Sequence, residues 1–183
     1  MSYKNTTQNW KIPLYKVHVS QTDVKSVFGV LKRGTDWTLG KEVIDLEENL
    51  AQYVGSKYCL TFNSGTSAGH ALMIAMNLKK SEVLVPSFSF IATANWPLMV
   101  NAVPKFIDIE EKTLGMDPKK IEEKISKKTK LIMPIHYAGL PCQINEIRKI
   151  ASDYKITLIE DAAESIGSSI KNKKIGSFGD ASI

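Results

Sequence analysis

Cysteine is nearly missing: the 183-residue chain has two, Cys59 and Cys142. They make neither a metal-module spacing nor a disulfide framework, which excludes zinc modules and secreted scaffolds, suits a reducing cytoplasm and leaves both as packing residues. Long apolar runs are missing as well. The longest, around Leu84–Val85 and Ile156–Ile159, fall far short of the roughly 20 residues a bilayer requires, so no membrane span is expected. The opening Met1-Ser2-Tyr3-Lys4-Asn5-Thr6 has no apolar stretch of the secretory type, and a cytoplasmic location is the expectation. Arginine is scarce: of 24 basic residues only Arg33 and Arg148 are arginine, and the lysines are scattered. Nucleic-acid readers concentrate charge and lean on arginine forks, so the net charge of +5 does not indicate a nucleic-acid partner. The densest run, Lys119–Lys130, contains Glu122 and Glu123 and reads as the wet face of a helix. No Gly-x-Gly-x-x-Gly and no P-loop spacing occurs, which removes the usual support for dinucleotide or ATP binding.

The chain does have a soluble-type composition, 43% hydrophobic and 23% charged, enough for the core of one domain or of part of a larger one. Elements alternate along it. Ser20 stands three before Asp23, and Val24, Val27, Phe28 and Leu31 come next at helical spacing up to Gly34. A second helix starts near Lys41, with Val43, Leu46, Leu50 and Tyr53 on one side and Gly55 as its stop. Both helices are expected to face an apolar partner later in the chain. Strand and helix then take turns. Strands are expected at Tyr58–Phe62, Glu82–Pro86, Val103–Ile109, Lys130–His136 and Ile156–Asp161, and Ala181-Ser182-Ile183 would begin another, leaving an exposed apolar edge. Helices are expected from Asn63-Ser64 to Met76, after Phe90 as far as Pro97, from Asp117-Pro118, and around Ile144, Ile147, Ile150 and Ala151. Strands apolar on both faces between helices imply an α/β fold with a mainly parallel sheet covered on both sides.

Ligands of such sheets bind beyond the carboxyl ends of the strands, and three of those ends are chemically distinctive. Asn63-Ser64-Gly65-Thr66-Ser67-Ala68 opens a helix whose free amides and dipole suit a phosphate, although an ordinary Ser/Thr cap has the same look. Ile159-Glu160-Asp161-Ala162-Ala163-Glu164-Ser165 puts two carboxylates at the end of a buried strand and a third soon after. An ionised carboxylate there needs a cationic nitrogen, a metal or a lysine, unless it simply caps the next turn. Pro86-Ser87-Phe88-Ser89-Phe90 offers aromatics that would stack on a planar ligand or serve the core. His136 lies close to this region as a satisfied histidine, and His18 and His70 read as structural. A small planar ring with a phosphate arm and a basic nitrogen would use all three ends, and pyridoxal phosphate is such a molecule.

The same residues carry a family resemblance. Ile12-Pro13-Leu14-Tyr15, Trp37-Thr38-Leu39-Gly40, Phe62–Ala68, Pro86–Asn95, Pro134-Ile135-His136-Tyr137-Ala138-Gly139, Ile159–Ser165 and Gly176-Ser177-Phe178-Gly179-Asp180 are specific as an ordered set. In them the chain resembles the N-terminal part of the DegT/DnrJ/EryC1/StrS, or sugar-nucleotide, aminotransferases. The resemblance implies the large domain of a fold-type I transferase dependent on pyridoxal 5′-phosphate, truncated before the C-terminal small domain. Residues 1–40 would be an N-terminal arm and helix, and residues 41–183 a partial cofactor-binding domain. It further implies amino transfer from an amino acid, typically glutamate, to a nucleotide-linked keto sugar, and a homodimer in the full-length parent. Gly65 and Thr66 would hold the cofactor phosphate, Phe90 would stack on its ring, Asp161 would pair with its nitrogen, and Glu164 would stand near its ring hydroxyl. A carboxylate at Asp161 favours the protonated ring, which then withdraws electrons.

The family's Schiff-base lysine is expected beyond Ile183, so no catalytic residue is assigned within these residues and the chain is expected to be inactive by itself. Two alternatives accompany this reading. A histidine in place of that lysine would give a pyridoxamine-dependent sugar dehydratase, and a natural product of this length would be a non-catalytic binding or assembly module.

Overall fold

The computed structural model describes residues 11–12 and 16–183. The Met1–Thr6 opening and the Pro13–Tyr15 part of the first motif lie outside the described residues. Packing divides the chain into two units, Met1–Ile44 and Asp45–Ile183.

The first unit is built on helix α1, Gln21–Arg33. Ser20 and Asp23 close a reciprocal capping box at its start, satisfying amides that have no helical acceptor. Gly34, at φ 76°, ends it in the left-handed region where a side chain is costly. Arg33 then ties the adjoining turn through both oxygens of Glu42 and the carbonyls of Thr35 and Asp36. The expected apolar stripe is present, but nothing on α1 is buried, and Val24, Val27, Phe28 and Leu31 are all more than half exposed. Among the described residues, nothing in its own unit covers this stripe. Helical spacing says which face is apolar and not what covers it. Helix α2, Lys41–Val54, stops before Gly55 as expected. Val43 and Leu50 are half-buried while Leu46 and Tyr53 remain exposed, so its buried edge is narrower than the spacing predicts.

The second unit contains a five-stranded parallel sheet. In chain order its strands are β1 (Glu82–Pro86), β2 (Val103–Ile107), β3 (Thr129–Ile132), β4 (Thr157–Glu160) and β7 (Ala181–Ser182), with a small hairpin, β5 (Ser169–Ile170) and β6 (Lys173–Lys174), between the last two. The spatial order is β2-β1-β3-β4-β7. Besides the part of α2 from Asp45 on, the unit holds helices α3 (Gly65–Ala75), α4 (Ile91–Met99), α5 (Pro118–Ile121) and α6 (Ile144–Tyr154). Alternating strand residues feed two cores. Val83, Val85, Leu131, Met133 and Ile159 pack with Met73 of α3 and Ala92 and Trp96 of α4. Leu84, Ile107, Ile132 and Leu158 pack with Ile121 of α5 and Ile144, Ile147 and Ala151 of α6. The period of two sends neighbours to opposite faces, and each fully buried aliphatic side chain contributes about 1.5–3 kcal/mol. The mainly parallel sheet covered on both faces is thus borne out.

Three local expectations change. Tyr58–Phe62 forms no strand; Tyr58, Leu60 and Phe62 are exposed. Glu47 accepts both the N–H and the hydroxyl of Thr61, at 2.7 and 2.9 Å, and β-prone residues without a neighbouring strand do not stay in a ladder. The strands expected to reach Ile109 and His136 end at Ile107 and Ile132, although Ile135 still bridges to Asp161. Ala181–Ser182 forms the expected strand at the edge of the sheet, with Ala181 and Ile183 half-buried against the α3/α4 core. The β5–β6 hairpin was not expected. It turns at Lys171 and Asn172, both with positive φ (47° and 68°), the conformation of tight hairpin turns.

Candidate functional site

The three distinctive strand ends converge. Gly65, Thr66, Phe90, Asp161 and Glu164, together with Thr93 and Trp96, line one half-open cleft of about 210 Å³. It lies where the carboxyl end of β4 meets the starts of α3 and α4. All five residues expected from the sequence are therefore brought to one place.

Asp161 forms the acidic end. It is 3% exposed, and its backbone continues the sheet by donating to Pro134 and accepting from His136. Thr93 donates its hydroxyl to Oδ2 at 2.6 Å, and the amide of Ala163 reaches Oδ1 at only 3.4 Å. Burial pushes this carboxyl above the usual aspartate range, with the Thr93 hydrogen bond opposing it. Among the described residues no lysine or arginine lines the cleft. Asp161 thus offers a buried acid with spare acceptor capacity and, among the described residues, no lysine or arginine in the cleft to pair with it.

The first turn of α3 forms the other end. Ser64 caps it, accepting the N–H of Ser67 at 3.1 Å. Gly65 and Thr66 are the first two helical residues, so their amides have no acceptor within the helix. Nothing lies within 4 Å of where a Cβ on Gly65 would sit, so the approach to these amides is open. The indole of Trp96 anchors the turn from beneath, donating to the Thr66 carbonyl at 2.9 Å. That contact depends on Gly69, where a Cβ would come within 2.2 Å of the Trp96 ring. Neither Trp96 nor Gly69 was expected from the sequence as part of the site; a glycine inside a helix was the available signal.

Phe90 precedes α4 and is 69% exposed on the cleft wall, free to lie against a planar ligand. Phe88 turns away and packs on Tyr137, ring centroids 4.6 Å apart. Glu164 accepts the N–H of Ala138 at 2.6 Å, holding a loop in which Ala138 and Gly139 both have positive φ (52° and 80°).

Behind the cleft lies a polar centre the sequence reading left unassigned. Glu160 is completely buried and accepts from the amides of Gly176, Phe178 and Gly179 at 2.7–3.0 Å and from His136 Nε2 at 3.1 Å. The amide of Cys142 donates to His136 Nδ1, so Nε2 carries the proton directed at Glu160. Burial pushes Glu160 up, but His136 and the amides outweigh it and hold the carboxyl below the usual glutamate range. His136 is the satisfied histidine that was expected. Burial, with Glu160 nearby, pushes the Cys142 thiol to about 12, which fits a packing role.

One end of the cleft therefore suits a cationic nitrogen and the other an anionic group, with an aromatic wall between. Residues 18–183 match the DegT/DnrJ/EryC1/StrS aminotransferase family. The chain is 39% identical over 146 residues to the UDP-2-acetamido-2-deoxy-3-oxo-D-glucuronate aminotransferase of Pseudomonas aeruginosa, covering 79% of this chain and 40% of that protein. It is 33% identical over 172 residues to the GDP-perosamine synthase of Vibrio cholerae, covering 93% and 47% of the two. A solved structure of the E. coli GDP-4-keto-6-deoxy-D-mannose-3-dehydratase with bound hydrated PLP superposes with a TM-score of 0.85 at 30% identity, covering 91% of this chain and 44% of that one. The chain spans less than half the length of these relatives.

Proposed function

The chain belongs to the DegT/DnrJ/EryC1/StrS aminotransferase family, and from that premise we propose that it is the cofactor-holding portion of a pyridoxal-phosphate enzyme that transfers an amino group from an amino acid, glutamate first among them, to a nucleotide-linked keto sugar. One observation supports this most: Asp161 and the first turn of α3 border a single cleft. Pyridoxal phosphate fits that donor set. Its phosphate would lie at the amides of Gly65 and Thr66 with the Thr66 hydroxyl, its ring against Phe90, its nitrogen at Asp161 and its ring hydroxyl on the Glu164 side. When bound, it supplies an electron sink for bonds broken at an amino-acid α-carbon.

The chain's own groups do the rest. Asp161, in a site that penalises a lone charge, gains a partner when a cationic nitrogen arrives, and its carboxylate keeps that nitrogen protonated. The α3 amides would hold the phosphate through the helix dipole. Trp96 keeps the Thr66 turn in place, and Phe90 would cover one face of the ring. Among the described residues no lysine lines the cleft, and the chain by itself is proposed to bind without turning over. In a protein of the relatives' length this reading carries a homodimer acting on the nucleotide-linked sugar and the amino-acid donor. The likeness to the E. coli dehydratase favours a second reading, sugar dehydration on the same cofactor site. The mass of the sugar product separates the two. No described helix is long and apolar enough to cross a membrane.

Pyridoxamine 5′-phosphate is the suitable probe, because it lacks the aldehyde that would react with surface lysines. Fluorescence titration should show saturable binding at one site. Asp161→Ala and Thr66→Ala should each weaken it, by about 10–100-fold and about 3–10-fold. Binding unaffected by either change would remove this reading.

A further inference from the structure

Asp161 is held by a hydroxyl from a different part of the chain, and we propose that Thr93, backed by Ser89, is the positioning residue that fixes which Asp161 oxygen meets the nitrogen of a bound ring; this rests on the pyridoxal-phosphate reading of the cleft. Thr93 Oγ1 lies 2.6 Å from Asp161 Oδ2 and 2.6 Å from Ser89 Oγ. Thr93 is 1% exposed and stands in α4, 68 residues before its partner.

Proton bookkeeping gives the contacts a direction. A hydroxyl has one proton to donate. With Asp161 ionised, Thr93 donates that proton to Oδ2, so Ser89 must be the donor in the Ser89–Thr93 contact. Oδ2 is then committed. Oδ1 has only the long 3.4 Å contact from Ala163, at the edge of hydrogen-bond range, and is the oxygen left for a charged N–H. With Asp161 protonated the chain reverses: the carboxyl donates to Thr93, and Thr93 donates to Ser89. Two hydroxyls in series therefore satisfy the acid in either state, which is how it stays buried without a lysine or arginine among the described residues of the cleft. The titratable groups acting on Asp161 are His136, on the segment after β3, and Glu164, on its own turn; substitutions at Thr93 and Ser89 leave both in place.

Thr93→Val preserves shape and removes the hydroxyl, Thr93→Ser restores the hydroxyl, and Ser89→Ala removes only the outer link. Two NMR signals are read on the 183-residue chain. Without ligand, the Asp161 carboxyl carbon at fixed pH should move in Thr93→Val, return towards the wild-type position in Thr93→Ser, and move less in Ser89→Ala. With ring-¹⁵N pyridoxamine phosphate, at a pH high enough that the free ligand's ring nitrogen is neutral, the ring nitrogen bound to the wild type should carry the shift of a protonated pyridine. Thr93→Val should move it towards the neutral form and weaken binding about tenfold, with Thr93→Ser close to wild type. An Asp161 carbon signal unchanged in Thr93→Val overturns the inference, and so does a ring nitrogen equally protonated in both. A wild-type chain that leaves the ring nitrogen at its free-ligand position overturns the functional reading and the ring-directed half of this inference, and the carboxyl carbon still decides the hold of Thr93 on Asp161.

Discussion

Glu160 and Asp161 are adjacent acids at the end of one strand, and they live in opposite environments. Glu160 points with Leu158 into the α5/α6 side, where four donors converge on its two oxygens. Asp161 points with Ile159 towards α3 and α4, where one hydroxyl holds one oxygen and the cleft begins. Both are almost fully buried, yet Glu160 is held below and Asp161 pushed above the ordinary range of its type. Burial alone does not make an acid functional. A carboxylate whose acceptor sites are filled by its own fold is a fastener, and one with capacity left over faces the ligand.

The comparison breaks most visibly in stability. Glu160→Ala leaves three amides and the His136 N–H without their acceptor, and should cost about 3–5 kcal/mol in urea unfolding. Asp161→Ala should cost about 1 kcal/mol or less, its effect appearing as lost pyridoxamine phosphate affinity. Comparable losses from the two would erase the distinction.

The pH dependence sharpens it, because the signs differ. Glu160 titrates lower in the folded chain than in the unfolded one, so its contribution is complete above the ordinary glutamate range and is lost as pH falls through its folded value. Asp161 titrates higher when folded, so its contribution is complete below the ordinary aspartate range and is lost as pH rises through its raised value. Urea midpoints measured from neutral to acid should show Asp161→Asn removing a gain on acidification and Glu160→Gln removing a loss. Matching pH profiles for the two variants would contradict the assignment.

A smaller effect tests the cleft side from below. Gly69→Ala pushes on the Trp96 ring and should cost about 1–3 kcal/mol, with a several-fold loss of pyridoxamine phosphate affinity because Trp96 anchors the Thr66 carbonyl. Amide signals of Gly176–Gly179 should stay unchanged. Movement there would show that the two sides of β4 are coupled.

Much of this contrast was legible in the sequence, and its limits are physical. The caps at Ser20, Ser64 and Asp117 read directly, because a side chain and an amide two or three residues apart decide them. Gly65, Thr66, Phe90, Asp161 and Glu164 were placed by local motifs and do meet in one cleft. The division of labour between Glu160 and Asp161 was within reach, since counting twos from Leu158 and Ile159 assigns their faces. The grip of Thr93 on Asp161 was not, because it joins segments 68 residues apart and the Pro86–Asn95 motif that contains Thr93 does not say what its hydroxyl meets. Tyr58–Phe62 misled for the converse reason: β-prone side chains were present, but Glu47 took the amide a neighbouring strand would have used.

The central claim is that a single small molecule spans the acid and the α3 start. The most direct measurement is an NMR titration of the chain with pyridoxamine 5′-phosphate, monitoring the amides of Gly65 and Thr66 and the carboxyl carbon of Asp161 together. All three should move along one saturation curve with a common dissociation constant. Response at only one end, or two ends saturating at different concentrations, would contradict it.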